Sequence, residues 1–314
     1  MPNGSTEFPF DDVEQLGAEL EDGKAFDKMR LSTIADARAI IDAFAVEDGG
    51  GAWASLDRST VAERLLELVG PESSDEQGTR DEAARAMLQG ALNLCGPAVF
   101  FQSIIKRDPV AFATYATSLF NTGSGDIGDL TVTPNSDIVE TDYAELVPRM
   151  GSNVCPQADW MVLGALRNAT NAFWTGSFQG TPEEVMAAGT RPEELAEWFE
   201  QTGLFKSVVD EANWMQCAGI PHATNLPLFN GTDIAVLIHS NLINLAKHQT
   251  PASNWPLTEF PNHWVMLLGD VIPRVPDGSI YFNIWSWGSR QILEVPQDAF
   301  VDNYYGAVTC KLRD

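Results

Sequence analysis

The sequence predicts an α+β domain, in which helices come first along the chain and strands follow. Apolar residues recur at helical spacing over 29–46, 59–69 and 158–173. In the last third the pattern changes to short apolar and aromatic runs at 263–271 and 279–287, typical of strands separated by turns. Helices followed by such strands indicate an antiparallel sheet with helices packed against it.

Composition and charge narrow the classes of function. The chain has 314 residues, 44% of them hydrophobic, which is enough for a substantial core. Its formal net charge of −25 repels phosphate groups, so neither nucleic acid nor an acidic membrane surface is an expected partner. We expect no transmembrane segment, because the apolar runs are too short to span a bilayer. The first residues also lack the basic and apolar regions of a signal peptide.

The four cysteines are Cys95, Cys155, Cys217 and Cys310. They are widely spaced and form neither a C-x-x-C pair nor a zinc-binding pattern, so no metal or other cofactor is expected. Four thiols in a chain of this length do not make a disulfide scaffold, which favours a reducing compartment. A single disulfide bridge remains an open alternative.

Cys95 is the strongest candidate for a reactive side chain. It precedes Gly96, Pro97 and an apolar helix, and proline favours the first turn of helices. Cys95 is therefore expected at a helix N-terminus, where backbone N–H groups and the helix dipole favour a thiolate. The alternative is a small buried hydrophobic residue, which is common for free cysteine.

Gln89 lies six residues before Cys95, in the segment Q-G-A-L-N-L-C-G-P-A. This segment resembles the papain-like cysteine peptidase superfamily, and in particular bacterial members of its C39-like branch. The resemblance implies that Gln89 and the backbone N–H of Cys95 donate to an oxyanion during acyl transfer. It also implies that Gly90 lies at the substrate.

His263 follows at the start of an apolar strand, in N-H-W-V-M-L-L-G, which resembles the second catalytic segment of the superfamily. Its imidazole would accept the thiol proton and later protonate the leaving group. His222, His239 and His248 lie in less suitable contexts and are expected to be surface or structural residues.

The third segment, I-Y-F-N-I-W-S-W-G, resembles the Asn-Ser-Trp-Gly signature of the superfamily, with Trp285 where the asparagine belongs. A tryptophan cannot accept the imidazole proton. We therefore assign the orienting role to Asn283, two residues earlier on the same strand face. An Asp elsewhere, or a Cys–His pair alone, is the alternative. The resemblance implies that Trp287 shields the His263 contact from water and borders the substrate.

The resemblance implies a papain-like fold, in which the helix carrying Cys95 packs on a C-terminal antiparallel sheet. We expect an N-terminal helical extension at 1–80 and a catalytic domain at 81–314 with a helical insertion around 140–250. The expected activity is that of a cysteine peptidase on a protein or peptide. Two alternatives stay open: a peptidoglycan amidohydrolase, Gln deamidase or acyl transferase on the same fold, and a catalytically degenerate binding module.

The resemblance and the absent signal peptide together suit a bacterial effector or toxin. Such a protein would be cytoplasmic in the producing cell and exported by a system that needs no signal peptide. An inhibitor or immunity protein is then an expected partner.

Overall fold

The structure is a computed structural model that describes residues 32–71, 86–171, 177–229, 231–248, 260–274 and 277–313. All elements below belong to one compact unit, Ser32–Asp314, and residues 1–31 lie outside the described ranges.

The helices begin where the sequence supplies side chains that accept hydrogen bonds from free backbone N–H groups. Thr33, Asp57 and Asp108 each cap a helix in this way. Within the described residues the helices are α1 (Ile34–Ala45), α2 (Arg58–Val69), α3 (Cys95–Arg107), α4 (Pro109–Thr122), α5 (Ser136–Val139), α6 (Tyr143–Met150), α7 (Gln157–Thr170), α8 (Val185–Ala188), α9 (Pro192–Gln201), α10 (Gly219–Thr224), α11 (Asn241–Ala246) and α12 (Gln297–Asn303).

The strands form one large antiparallel sheet and one small hairpin. The hairpin pairs β1 (Gly125–Ile127) with β2 (Leu130–Val132). The large sheet has the order β3-β9-β4-β5-β7-β6, and β8 also pairs with β7. Its strands are β3 (Phe205–Asp210), β4 (Thr232–Ile238), β5 (His263–Leu267), β6 (Ile272–Arg274), β7 (Ser279–Ser286), β8 (Ser289–Pro296) and β9 (Tyr304–Leu312).

Alternating side chains on the central strands give the sheet two buried faces. On β5, Trp264 and Met266 join the main helical core, whereas Val265 and Leu267 join a second core on the opposite face. The main face carries α3, which packs against β5, and α9, which packs against β3. The opposite face is covered by α10, α11 and α12. The α+β class and the antiparallel sheet predicted from the sequence are confirmed.

The N-terminal helices belong to the same core as the rest of the unit. α1 packs against α2 and α4, and α2 packs against α7. The buried residues between Ala37 and Val69 therefore share the main hydrophobic core, and the expected N-terminal helical extension over 1–80 stays a prediction. The region 140–250, expected to be a helical insertion, also contributes β3 and β4 to the sheet. None of the described helices is both long enough and apolar enough to cross a membrane.

Candidate active site

Cys95 is the first residue of α3, as the Gly96-Pro97 pattern predicted. The helix start packs closely on a neighbouring loop, because a Cβ atom at Gly96 would collide with the side chain of Thr190. Trp264 of β5 donates its indole N–H to the backbone carbonyl of Thr190 at 2.9 Å, which ties this loop to the sheet. These contacts fix the helix start against the first residues of β5.

The thiol of Cys95 is buried and favours the protonated state. Burial raises its pKa above the ordinary value, and hydrogen bonds from the backbone N–H groups of Trp264 and Gly96 oppose that rise only in part. The positive charge of Arg167 also lowers the pKa of this thiol. The expectation that the helix dipole produces a free thiolate is therefore outweighed by desolvation in this conformation.

His263 begins β5 and is 5% exposed. Its Nε2 atom lies 2.6 Å from Oγ of Ser286, the last residue of β7, and Ser286 is itself 1% exposed. Burial lowers the pKa of the imidazole to about 3, so the ring is neutral at physiological pH. A neutral imidazole with one nitrogen already hydrogen-bonded has its other nitrogen, Nδ1, available as a base.

Trp287 covers this imidazole. Its ring stacks on that of His263, with 4.5 Å between the ring centroids and 20° between the planes. Trp287 and Gly288 form the two-residue connection between β7 and β8, and both have positive φ angles, 49° and 72°. This is the geometry of a type I′ hairpin, which favours Asn, Asp or Gly at both positions. A tryptophan there is strained, and such strain is characteristic of functional positions.

Gln89 reaches the same place from the segment that precedes α3. Its side chain is 7% exposed, and Oε1 has no hydrogen-bond partner among the described residues. Gly90 follows with a φ angle of 59°, and a Cβ atom there would collide with the backbone of Asn153 and Cys155. The glycine thus allows this segment to approach the 153–155 backbone closely, which holds Gln89 in position.

The structure does not bring Asn283 to His263. The carbonyl of Asn283 accepts from the backbone N–H of Leu268 at 2.8 Å, so Asn283 is five residues along the sheet from His263, roughly 17 Å. Its Oδ1 atom has no hydrogen-bond partner within the described part of the chain. The hydrogen-bond partner of Nε2 of His263 is Ser286 instead. The sequence offered one signal for it, its place directly before Trp287-Gly288 in the Ser-Trp-Gly segment.

One small cavity joins these groups. It is lined by side chains from the segment before α3, from α3, from β5, and from β7 and its hairpin, namely Met87, Gln89, Cys95, Ala98, His263, Trp264, Trp285 and Trp287. Cys95 and His263 thus border the same space, although no hydrogen bond joins them in this conformation. Hydrogen bonds between a nucleophile and its base are often long in free enzymes and shorten when substrate binds.

The remaining histidines lie elsewhere. Nδ1 of His222 lies 2.5 Å from the hydroxyl of Tyr304, and Nδ1 of His239 accepts from the backbone N–H of Asn241. His248 is exposed. Across the described ranges, no group of three or more His, Cys, Asp or Glu side chains could hold a metal ion.

Comparisons with known proteins add no relative. No family model matches the chain, and searches of curated proteins and of solved structures give no significant match.

Proposed function

We propose that this protein is a cysteine hydrolase of the papain-like type, with Cys95 as nucleophile and His263 as base. The observation that carries the proposal is the His263–Ser286 hydrogen bond of 2.6 Å beside a cavity that Cys95 and Gln89 also line. A nucleophile, a base oriented by a third group, and a free amide are the parts that acyl transfer needs.

The proposed reaction begins with a neutral thiol and a neutral imidazole. Nδ1 of His263 takes the thiol proton as Sγ of Cys95 attacks the substrate carbonyl carbon. The carbonyl π electrons move to oxygen, and Nε2–H of Gln89 and the backbone N–H of Cys95 donate to that oxyanion. The tetrahedral intermediate collapses, its carbon–nitrogen bond breaks, and His263 gives its proton to the leaving amine. Water then hydrolyses the thioester with His263 again acting as base.

Ser286 sets the tautomer of the base. For Nδ1 to accept a proton, Nε2 must carry one, and Oγ of Ser286 then accepts from Nε2–H. Both residues are buried, so the hydrogen bond forms in a low-dielectric setting and holds the ring plane firmly. Trp287 keeps water away from the outer face of the ring.

The substrate class we propose is a protein or peptide. The alternative hydrolases share the same chemistry. A peptidoglycan amidohydrolase or a Gln deamidase would also use Cys95, His263, Gln89 and Ser286. Incubation with cell-wall sacculi on one side and with unfolded protein substrates on the other separates these activities. Release of soluble muropeptides without proteolysis would favour the amidohydrolase.

A second candidate function is a binding module without catalysis. It is favoured by the buried, protonated state of Cys95 and by the absence of a hydrogen bond between its thiol and the imidazole of His263. In such a binding module, the residues that line the cavity would serve only as part of the hydrophobic core.

Acylation of Cys95 by p-nitrophenyl acetate separates the two candidates without knowledge of the natural substrate. The experiment uses a Cys217→Ser background, because Cys217 is the one partly exposed cysteine among the four. Cys155 and Cys310 are buried with strongly raised pKa values and act as internal controls. We expect a burst of p-nitrophenol and acetyl transfer to Cys95, both lost in Cys95→Ser and in His263→Ala. If Cys95 is acetylated no faster than Cys155, the hydrolase is ruled out and the binding module is the candidate that remains.

A further inference from the structure

The segment that carries Gln89 is held by a buried ion pair outside the cavity. Nε and Nη2 of Arg64 donate to the two carboxylate oxygens of Asp159 at 2.7 and 3.0 Å. Asp159 is fully buried on α7, and the side chain of Arg64, on α2, is 13% exposed. Such a two-point pair fixes both position and angle of its groups.

Both members of the pair also bind the backbone that leads to Gln89. Oδ1 of Asp159 accepts from the backbone N–H of Leu88 at 2.6 Å, and Nη2 of Arg64 donates to the carbonyl of Ala86 at 2.6 Å. The carbonyl of Leu88 accepts from Sγ of Cys155 at 3.2 Å. The pair thus holds the backbone at Ala86 and Leu88, and Cys155 makes a further contact with Leu88.

We propose that Arg64 and Asp159 are positioning residues, which set the amide of Gln89 at the oxyanion through the 86–88 backbone. The proposal rests on the proposed function and extends it to helices α2 and α7. The fully buried carboxylate of Asp159 accepts from Arg64 and from the backbone N–H of Leu88, and so it connects α2 and α7 to the residue that precedes Gln89. Shifting a catalytic donor by about 1 Å can lower the rate by about a hundredfold. The Arg64–Asp159 pair and its bonds to the 86–88 backbone, together called the clamp, therefore matter for turnover as well as for folding.

The chain contains a matched pair for a control. Nε and Nη2 of Arg107 donate to the two carboxylate oxygens of Asp233 at 2.9 and 2.8 Å, and Asp233 is 3% exposed. Arg107 lies twelve residues after Cys95 on α3, roughly 18 Å along the helix. Asp233 also accepts from the hydroxyl of Ser103 at 2.6 Å and pairs with Lys106 at 3.2 Å. Damage to the Arg107 pair should lower stability without touching the segment of Gln89.

The experiment compares Arg64→Lys with Arg107→Lys in the Cys217→Ser background, by two reactions at Cys95. Acylation by p-nitrophenyl acetate passes through an oxyanion, whereas alkylation by iodoacetamide forms none. We expect Arg64→Lys to slow acylation by about tenfold to a hundredfold and to change alkylation by less than about twofold. Arg107→Lys should change neither. In a Gln89→Ala background the effect of Arg64→Lys on acylation should vanish, because both changes remove the same donor.

Several results would overturn the positioning role. These are equal acylation in Arg64→Lys and Arg107→Lys, a parallel loss of alkylation, or an undiminished effect without Gln89. Should Arg64→Lys fail to fold, Asp159→Asn, with Asp233→Asn as its control, keeps the side-chain shape and is judged by the same criteria. If Cys95 of the parent protein is not acylated at all, the proposed function fails first and the positioning role with it.

Discussion

The hydrogen bond between His263 and Ser286 gives the sharpest single prediction about the site. Ser286→Ala removes the acceptor and leaves the Nε2–H group of a buried ring without a partner. Leaving such a group unsatisfied costs about 1–3 kcal/mol. Loss of about 1–2 kcal/mol of orientation at the base corresponds to acylation slower by about 5-fold to 30-fold.

Asn283→Ala is the matched control on the same strand. Oδ1 of Asn283 has no partner in the described structure, and the residue lies opposite Leu268 rather than His263. We expect Cys95 of this variant to be acylated at a rate within about twofold of the parent rate. A twofold difference corresponds to about 0.4 kcal/mol of activation free energy. The assay is the p-nitrophenol burst in the Cys217→Ser background. A large loss in Asn283→Ala with none in Ser286→Ala would refute the assignment and return the orienting role to the asparagine.

Three further predictions concern His263, Trp287 and Gly90. Because burial lowers the pKa of His263 to about 3, below the unfolded value of about 6.5, its neutral state stabilises the fold above pH ~6.5. This contribution to the free energy of unfolding falls by about 1.4 kcal/mol per pH unit as the pH drops toward 3. In urea unfolding, stability should therefore decrease more steeply with falling pH in the parent than in His263→Gln. Equal slopes of stability against pH would contradict the buried neutral ring. Trp287→Asn relieves about 1–2 kcal/mol of backbone strain and loses about 1 kcal/mol of ring stacking, so stability should change little. Iodoacetamide should alkylate Cys95 faster in this variant, because the covering ring is gone. Slower alkylation would argue against a covering role. Gly90→Ala should destabilise the fold by about 2 kcal/mol or more in urea unfolding, because the φ angle is positive and the space around Gly90 is filled. A variant of unchanged stability in which only substrate binding is altered would instead support the substrate-binding role expected from the sequence.

The sequence predicted the elements of this site better than their contacts. Proline in the first turn indicated the start of α3 at Cys95, and the apolar run after His263 indicated β5. Both signals are local, because they depend on backbone propensity and on burial of adjacent residues. The same is true of the helix at 157–170, which the sequence predicted over 158–173.

The partner of His263 could not be read from one strand alone. Two-residue alternation placed Asn283 on the face of Trp285, but alternation says nothing about position along the neighbouring strand. That position is set by the register between β5 and β7, in which Met266 pairs with Trp285. The register brings the start of β5 to the hairpin at Trp287 and therefore to Ser286.

The clamp on the segment of Gln89 had no sequence signal at all. Arg64 and Asp159 are 95 residues apart and lie on helices whose patterns indicate only an amphipathic face. A charged residue on a helix is usually solvated, so burial of Asp159 becomes visible only when α2 and α7 pack together. The expected boundary at residue 80 had also separated Arg64 from the catalytic domain.

The pairing of Cys95 with His263 is tested most directly by the rate of iodoacetamide alkylation at Cys95 against pH. A thiol that ionises alone reacts about tenfold faster for each pH unit below its pKa, and burial raises that pKa here. A thiol whose proton passes to a neutral imidazole reacts at a rate that is nearly flat above the pKa of the base. We predict a flat profile between pH ~6 and ~8 in the protein and a tenfold-per-unit slope in His263→Ala. The same steep slope in both proteins would contradict the account, because Cys95 would then be an isolated buried thiol.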